Sequence, residues 1–359
     1  MYLKDIIRGG RGMDIKVRRE YLEQAMALHK HQPVVDAHLD LAGEILMRHE
    51  SGEREVIKKY YLDNFRKAGI KLVFSSIFVE NENLDRAWEN AMDQIRVLRE
   101  EVEELPEVML VRNKAELNTL LSGDQIGILI YMEGLECIGE DIDKLDELYQ
   151  MGIRGASLIW SRKGALATGC CTAWDKCEKK GPLTEAGIRA IQRLEKLSMF
   201  LDISHLNDEG YEQVCRLSGR PFLATHSSAR AVYDSYRNLT DVQMKALADA
   251  GGIMGVNGCK YIAGSLEGNH LEMLCRHVEY EVEKIGSAHV GYGFDLCDSY
   301  QRAKAVLEGR TCQDQDDCLL DHSQIPLLTA ALLQRGMKEE DVCRIIGGNF
   351  MDYLKKTLP

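Results

Sequence analysis

Short runs of apolar, largely β-branched residues recur along the chain, and most are followed by a stretch whose apolar positions return every three to four residues. This alternation of periods is the signature of repeated strand–helix units. Eight runs read as strands: PVVDAHLDL (33–41), IKLVFSSIFV (70–79), IGILIYMEG (126–134), GASLIW (155–160), MFLDISH (199–205), PFLATHS (221–227), GIMGVNG (252–258) and HVGYGFDL (289–296). Helical periodicity occupies 84–104, 141–150, 185–197, 208–217, 241–250 and 271–285, with Thr184 and Thr240 placed to cap two of these segments. Gly69, Gly152, Gly219, Gly251 and Gly286 each sit where a helix has to end before the next strand, the left-handed position that glycine fills without strain.

Eight strand–helix units predict an α/β protein, a single (β/α)8 TIM-type barrel; a doubly wound sheet would more often stop at five or six strands. Residues 1–32 read as an N-terminal helical extension and 33–359 as the barrel, with the stretch from Asp321 onward closing it as helices. No Pro/Ser-rich linker or fixed-period repeat divides the chain.

Composition narrows the partners. Lys and Arg total 45 against 57 Asp and Glu, a net charge of −12, which argues against a nucleic-acid partner. No apolar stretch reaches membrane-span length and the first residues lack a signal-peptide core, so the expectation is a cytoplasmic protein with no membrane partner. The eleven cysteines are odd in number and mostly scattered through apolar segments, a pattern of buried thiols. The clusters Cys170/Cys171/Cys177 and Cys312/Cys318 lack the C-x2-C spacing of a structural zinc site and read as surface loops.

Chemistry enters where apolar runs end in His or an acid, because the C-terminal strand ends of a barrel build its active site. Strand one ends in His38-Leu39-Asp40, an i, i+2 spacing that puts both side chains on one face. Glu133, His205, His226 and Asp295 end four more strands. Taken singly, a strand-end histidine reads as a hydrogen-bonded loop residue and Glu133 as a cap or ion-pair partner. Together, three imidazoles and three carboxylates on one rim make a hydrolytic metal constellation. His29, His31, His49, His270, His277 and His322 fall in helices or polar segments and are expected to be solvated; His289 begins strand eight, at the far end of the barrel.

At these residues the sequence resembles the membrane dipeptidase (renal dipeptidase) family of zinc metallopeptidases. The resemblance runs from about Val34 to the end through VVDAHLDL, YMEGLECIG, YQMGIR, LDISHLND, ATHSSARAVYDSYRNLTD, HVGYGFDL and IIGGNF, with THSSAR followed by RN the most specific part. It implies two divalent metal ions, expected to be zinc, with His38 and Asp40 on one, His205 and His226 on the other and Glu133 bridging them. It also implies Asp295 as the proton-transfer carboxylate and Arg237 as the clamp on the substrate's terminal carboxylate. Trp160 stands where the best-known mammalian members have a substrate-contacting histidine, and GFDLCD replaces the usual GSDFDG while keeping Asp295.

The activity implied is hydrolysis of dipeptides by a metal-bridging hydroxide, with a D-residue tolerated at the second position, and a homodimer is expected by analogy. Two alternatives stay open: a related hydrolase acting on an N-acyl amino acid, lactone or phosphoester, and a non-catalytic binding protein on the same barrel.

Overall fold

The computed structural model describes residues 15–170, 180–312 and 316–359. Its strands are β1 (Val34–Leu39), β2 (Ile70–Phe78), β3 (Val108–Leu110), β4 (Ile126–Glu133), β5 (Ile153–Ser157), β6 (Phe200–Asp202), β7 (Leu223–Ala224), β8 (Ile253–Val256) and β9 (Val290–Tyr292). All pair in parallel, and eight follow the order β1-β2-β4-β5-β6-β7-β8-β9, a nearly closed barrel surrounded by helices. The predicted (β/α)8 architecture is therefore present. β3, which the sequence pattern did not suggest, is a three-residue strand beside the start of β4, too short to carry a period.

The barrel strands are buried almost throughout, which explains why they read as continuous apolar runs. Val35, Leu72, Phe74, Leu129, Tyr131, Phe200, Leu223 and Ile253 come from six different strands and form one cluster with Phe350 of the last helix. Strands that are not neighbours can share contacts only across the interior, so this cluster is the packed barrel core. Phe74 of β2 and Phe200 of β6 meet with ring centroids 5.7 Å apart, and Phe350 closes on Phe74 at 5.6 Å. Tyr131 stacks above Phe200 at 5.6 Å and carries the core upward to the mouth.

Among the described residues no ladder joins β1 to β9; a side chain spans the seam instead. Asp36, fully buried in β1, accepts from the Phe294 backbone N–H at 2.9 Å and pairs with His322 Nε2 at 2.9 Å. Removing the Asp36 carboxylate leaves two buried partners, the Phe294 N–H and His322 Nε2, without it. Asp36→Ala should therefore lower unfolding free energy by about 3 kcal/mol, more than a typical single hydrogen bond is worth. Urea titration checks this, and a loss below about 1 kcal/mol would show that the seam is held elsewhere.

Thr184 caps its helix through Gly187 N–H, and Thr240 forms a full capping box with Gln243, both as expected. Gly69, Gly152, Gly251 and Gly286 adopt positive φ; Gly219 does not, because that helix ends in an extended Ser218. The helix Arg19–His31 is docked rather than solvated at His29, whose Nδ1 donates to Ala68 O at 2.6 Å and whose Nε2 meets Thr329 Oγ1 at 2.8 Å. His277 and His322 are likewise buried, and His49 contacts Glu101 at 2.9 Å, so the expectation of solvation fails at four positions. Each had a polar partner distant in sequence. His289 lies directly before β9, at the end of the 3-10 turn Ser287–His289, bonded to Gly252 O at 2.8 Å. Cys170 and Cys318 are buried, against the surface-loop expectation, while Cys171 and Cys177 lie outside the described residues. Among those described, no helix is long and apolar enough to cross a membrane.

Candidate metal centre

His38 lies within β1, Asp40 follows directly at the start of the helix Leu41–Glu50, and Glu133 is the last residue of β4. His205, His226 and Asp295 sit beyond their ladders, which end at Asp202, Ala224 and Tyr292. The strands stop short of the predicted ends because side chains take over the backbone donors: Asp202 Oδ1 accepts from Ser204 N–H at 3.2 Å and Thr225 N–H at 2.9 Å. Gly134 lets the chain turn away from Glu133 at φ +94°, where an added Cβ would sit 2.0 Å from the Glu136 carboxylate.

All six predicted residues converge. Glu133 Oε1 lies 2.8 Å from His205 Nε2 and 3.4 Å from His226 Nε2, while Oε2 lies 3.6 Å from His38 Nε2. His38 Nε2 also faces Asp40 Oδ1 at 3.7 Å and Asp295 Oδ1 at 3.4 Å. Two donor groups result, His38/Glu133/His226 and His38/Asp40/Asp295, and they share His38.

A cation fits this set on two grounds. His38 Nε2 is buried without a hydrogen-bond partner, its lone pair turned toward carboxylate oxygens. An orphaned nitrogen among anionic oxygens is costly unless a cation joins them. The second ground is orientation. The Nδ1 atoms of all three imidazoles bond hydroxyls: His38 to Tyr131, His205 to Ser161 at 2.9 Å and His226 to Thr225 at 2.8 Å. With Nδ1–H donating to these oxygens, each Nε2 turns its lone pair inward, where a metal could use it; that of His205 also accepts from Arg237 Nη2 at 3.3 Å.

Burial dominates the electrostatics. It lowers the His38 imidazole to about 3, with Arg237 adding to the effect, and holds His205 and His226 well below the ordinary range, so all three are neutral. Burial raises Asp40 to about 6, and burial with repulsion from Asp40 raises Asp295 to about 7. Glu133 is pushed up by burial and by both aspartates. Crowded, desolvated carboxylates of this kind are what a divalent cation offsets.

Around the centre lies a cavity of about 250 Å³ lined by Asp40, Glu133, Trp160, His205, Arg237 and Asp295 among others. Arg237 is buried, not paired at the surface with Asp234 or Asp241: its guanidinium donates to Ser204 O and, at 3.3 Å, to His226 O. Among the described residues it forms no ion pair. The Trp160 ring stands 5.6 Å from His205 and 5.0 Å from Phe78, a wall of the cavity. Asp295 has φ +55°, an uncommon conformation for a non-glycine residue, and its Oδ2 accepts from Asn257 Nδ2 at 3.1 Å.

The profile of the membrane dipeptidases (peptidase family M19) matches residues 22–357. The chain belongs to this family. It is thus a metallodipeptidase-type hydrolase, and divalent metal ions are the family's cofactor. The chain is 26% identical to rat Dipeptidase 3 over 357 residues, covering 93% of this chain and 67% of that protein, so it spans about two thirds of that relative. A Rhodobacter sphaeroides metallopeptidase, solved with a phosphinate mimic of the dipeptide L-Ala-D-Ala, superposes with a TM-score of 0.78 at 26% identity, covering 91% of this chain and 99% of that one. The M19 dipeptidase AC superposes at 0.79, also at 26% identity, with the same coverage.

In this family member, the sequence pattern did not point to Tyr131, Ser161, Thr225, Asp202 and Asn257, which orient the converging side chains. Asp202 binds Ser204 Oγ at 2.7 Å and Thr225 Oγ1 at 2.9 Å, and Thr225 Oγ1 in turn lies 3.2 Å from the Tyr131 hydroxyl. One signal was present: Asp202 is an acid inside an apolar strand, three residues before a site histidine.

Proposed function

We propose that the chain hydrolyses dipeptides at a dinuclear centre, with His38 and Asp40 holding one metal ion, His205 and His226 the other, and Glu133 both. The observation that carries this is the two-sided Glu133 carboxylate, one oxygen toward His205 and His226 and the other toward His38. Imidazole and carboxylate donors suit zinc. When bound, the ions would supply an acidified water and polarise the scissile carbonyl.

The chain's own residues supply the rest. Asp295, with its pKa raised toward neutrality and Asn257 on one oxygen, accepts the proton of the attacking water and returns it to the departing amine. Arg237 receives the terminal carboxylate of the second residue, a charge its buried guanidinium otherwise lacks. Trp160 bounds the cavity where it excludes water. A D-residue at the second position is supported by the mimic bound to the R. sphaeroides relative. A panel of dipeptides ending in L- and D-residues, assayed beside N-acyl amino acids with zinc, manganese and cobalt, tests the reading. Turnover of the acyl compounds alone would replace it.

Asp295→Asn should keep near-normal metal content while kcat falls by ~100-fold or more, the size expected on losing a positioned proton-transfer group. Elemental analysis beside steady-state kinetics checks both halves. Loss of a metal in the variant would make Asp295 a ligand, as its 3.4 Å approach to His38 allows.

A further inference from the structure

Behind the metal cavity lies a second one of about 350 Å³, and the two share Phe78, Glu80, Tyr300 and Lys304 as a common wall. Its position follows from the barrel. Arg237 belongs to the loop after β7 and Glu80 to the loop after β2, and these strands are sixth and second in the eight-strand order, hence diametrically opposed. A dipeptide whose carboxylate lies at Arg237 and whose peptide bond lies at the centre extends its first residue toward Glu80.

The second cavity presents acceptors. Gln94 lies on its lining and is only 3% exposed; its Nε2 donates to Phe78 O at 2.5 Å and Asn90 Oδ1 at 2.8 Å. Both partners are acceptors, which settles the amide orientation and leaves Oε1 as the free acceptor. That oxygen is buried with no hydrogen-bond partner, and a Cβ on Gly43, another lining residue, would lie 3.6 Å from it. The walls add Glu50, Glu80, Glu82 and Glu308 against Arg86 and Lys304. Lys304 binds Glu80 at 2.7 Å and Glu82 at 2.8 Å, while Arg86 turns to Asp93 and Glu308 to Arg310. Glu50 forms no ion pair among the described residues. An orphaned buried acceptor under surplus carboxylates calls for a cationic donor.

We propose that this second cavity is the subsite for the side chain of the dipeptide's first residue and that it selects a long cationic one, a guanidinium or ammonium reaching past Phe78 to Gln94 and the glutamates. The proposal rests on the dipeptidase reading for its substrate, but the cavity can be tested without turnover. L-arginyl-L-alanine should exceed its neutral isostere L-citrullyl-L-alanine in kcat/KM by about 10- to 100-fold, the worth of a charge-assisted hydrogen bond. Glu82→Gln and Glu50→Gln, both at exposed positions, and Gln94→Leu should each move that ratio toward one. In calorimetry, free L-arginine should bind the metal-loaded protein at least ~10-fold more tightly than L-citrulline, and the same variants should erase the difference. Hydrolysis of both dipeptides at equal rates, with equal binding of the two amino acids, would overturn the subsite and leave the dipeptidase reading standing. Selective arginine binding without hydrolysis of any dipeptide would uphold the subsite and overturn the dipeptidase reading.

Discussion

If the centre is dinuclear as proposed, Glu133→Gln should remove both metals from a barrel that remains folded, taking metal content from the proposed two ions per subunit to below one and kcat/KM down by ~1000-fold or more. The reason is the division of labour between its oxygens. Oε1 faces His205 and His226 and Oε2 faces His38, so replacing either oxygen by an amide NH2 turns a donor toward an imidazole lone pair and removes the negative charge common to both positions. Substituting an outer ligand such as Asp40 should instead empty one position first. The fold itself should not suffer. Burial and the neighbouring aspartates already penalise the ionised Glu133 when no cation is present, so a neutral amide of the same shape relieves that penalty. Elemental analysis, kinetics and thermal melting of the metal-free proteins check the three statements together. A variant that keeps one full equivalent of metal would show that Glu133 serves one position alone.

A dipeptide amide should be a poorer substrate than the free acid by roughly 30- to 1000-fold in kcat/KM, the range for losing a charge-assisted bidentate contact in a desolvated pocket. Arg237 carries this expectation. Its guanidinium is buried at the ends of β6 and β7, held by the carbonyls of Ser204 and His226, and among the described residues has no carboxylate of its own. Arg237→Ala should lower activity on the acid to that on the amide, because neither substrate then retains the contact. Arg237→Lys should restore little, since an ammonium cannot reproduce the two-pronged geometry. The comparison of acid with amide needs no mutation and so is free of any change in folding. Equal rates on both with the unaltered enzyme would remove the clamp and with it the reason for a two-residue substrate.

How much was legible in the sequence varies with the range of the interaction involved. The HxD pair, Glu133 and the two later histidines could be read because each ends an apolar run, and a run ending in a polar residue is visible within ten positions. β3 was missed because three residues carry no resolvable period, and the short helix Leu62–Ala68 showed in the sequence only through Gly69 at its end. His29, His277 and His322 were misjudged for a different reason. A histidine on a helix looks alike whether it faces water or a buried acceptor, and its acceptor lies elsewhere in the chain.

The sequence by itself determined the strand–helix alternation, the parallel barrel it implies and the six polar residues at the barrel mouth, because period and residue type are local properties. Only the tertiary structure decided which imidazole faces which oxygen of Glu133, that Tyr131, Ser161 and Thr225 orient those rings, and that Asp36 spans the seam to His322, 286 positions away. It alone also placed Gln94 and Glu80 in a second cavity across the mouth from Arg237. These are contacts between strands and loops that meet only when the barrel closes, and no local pattern records which partner a side chain will meet there.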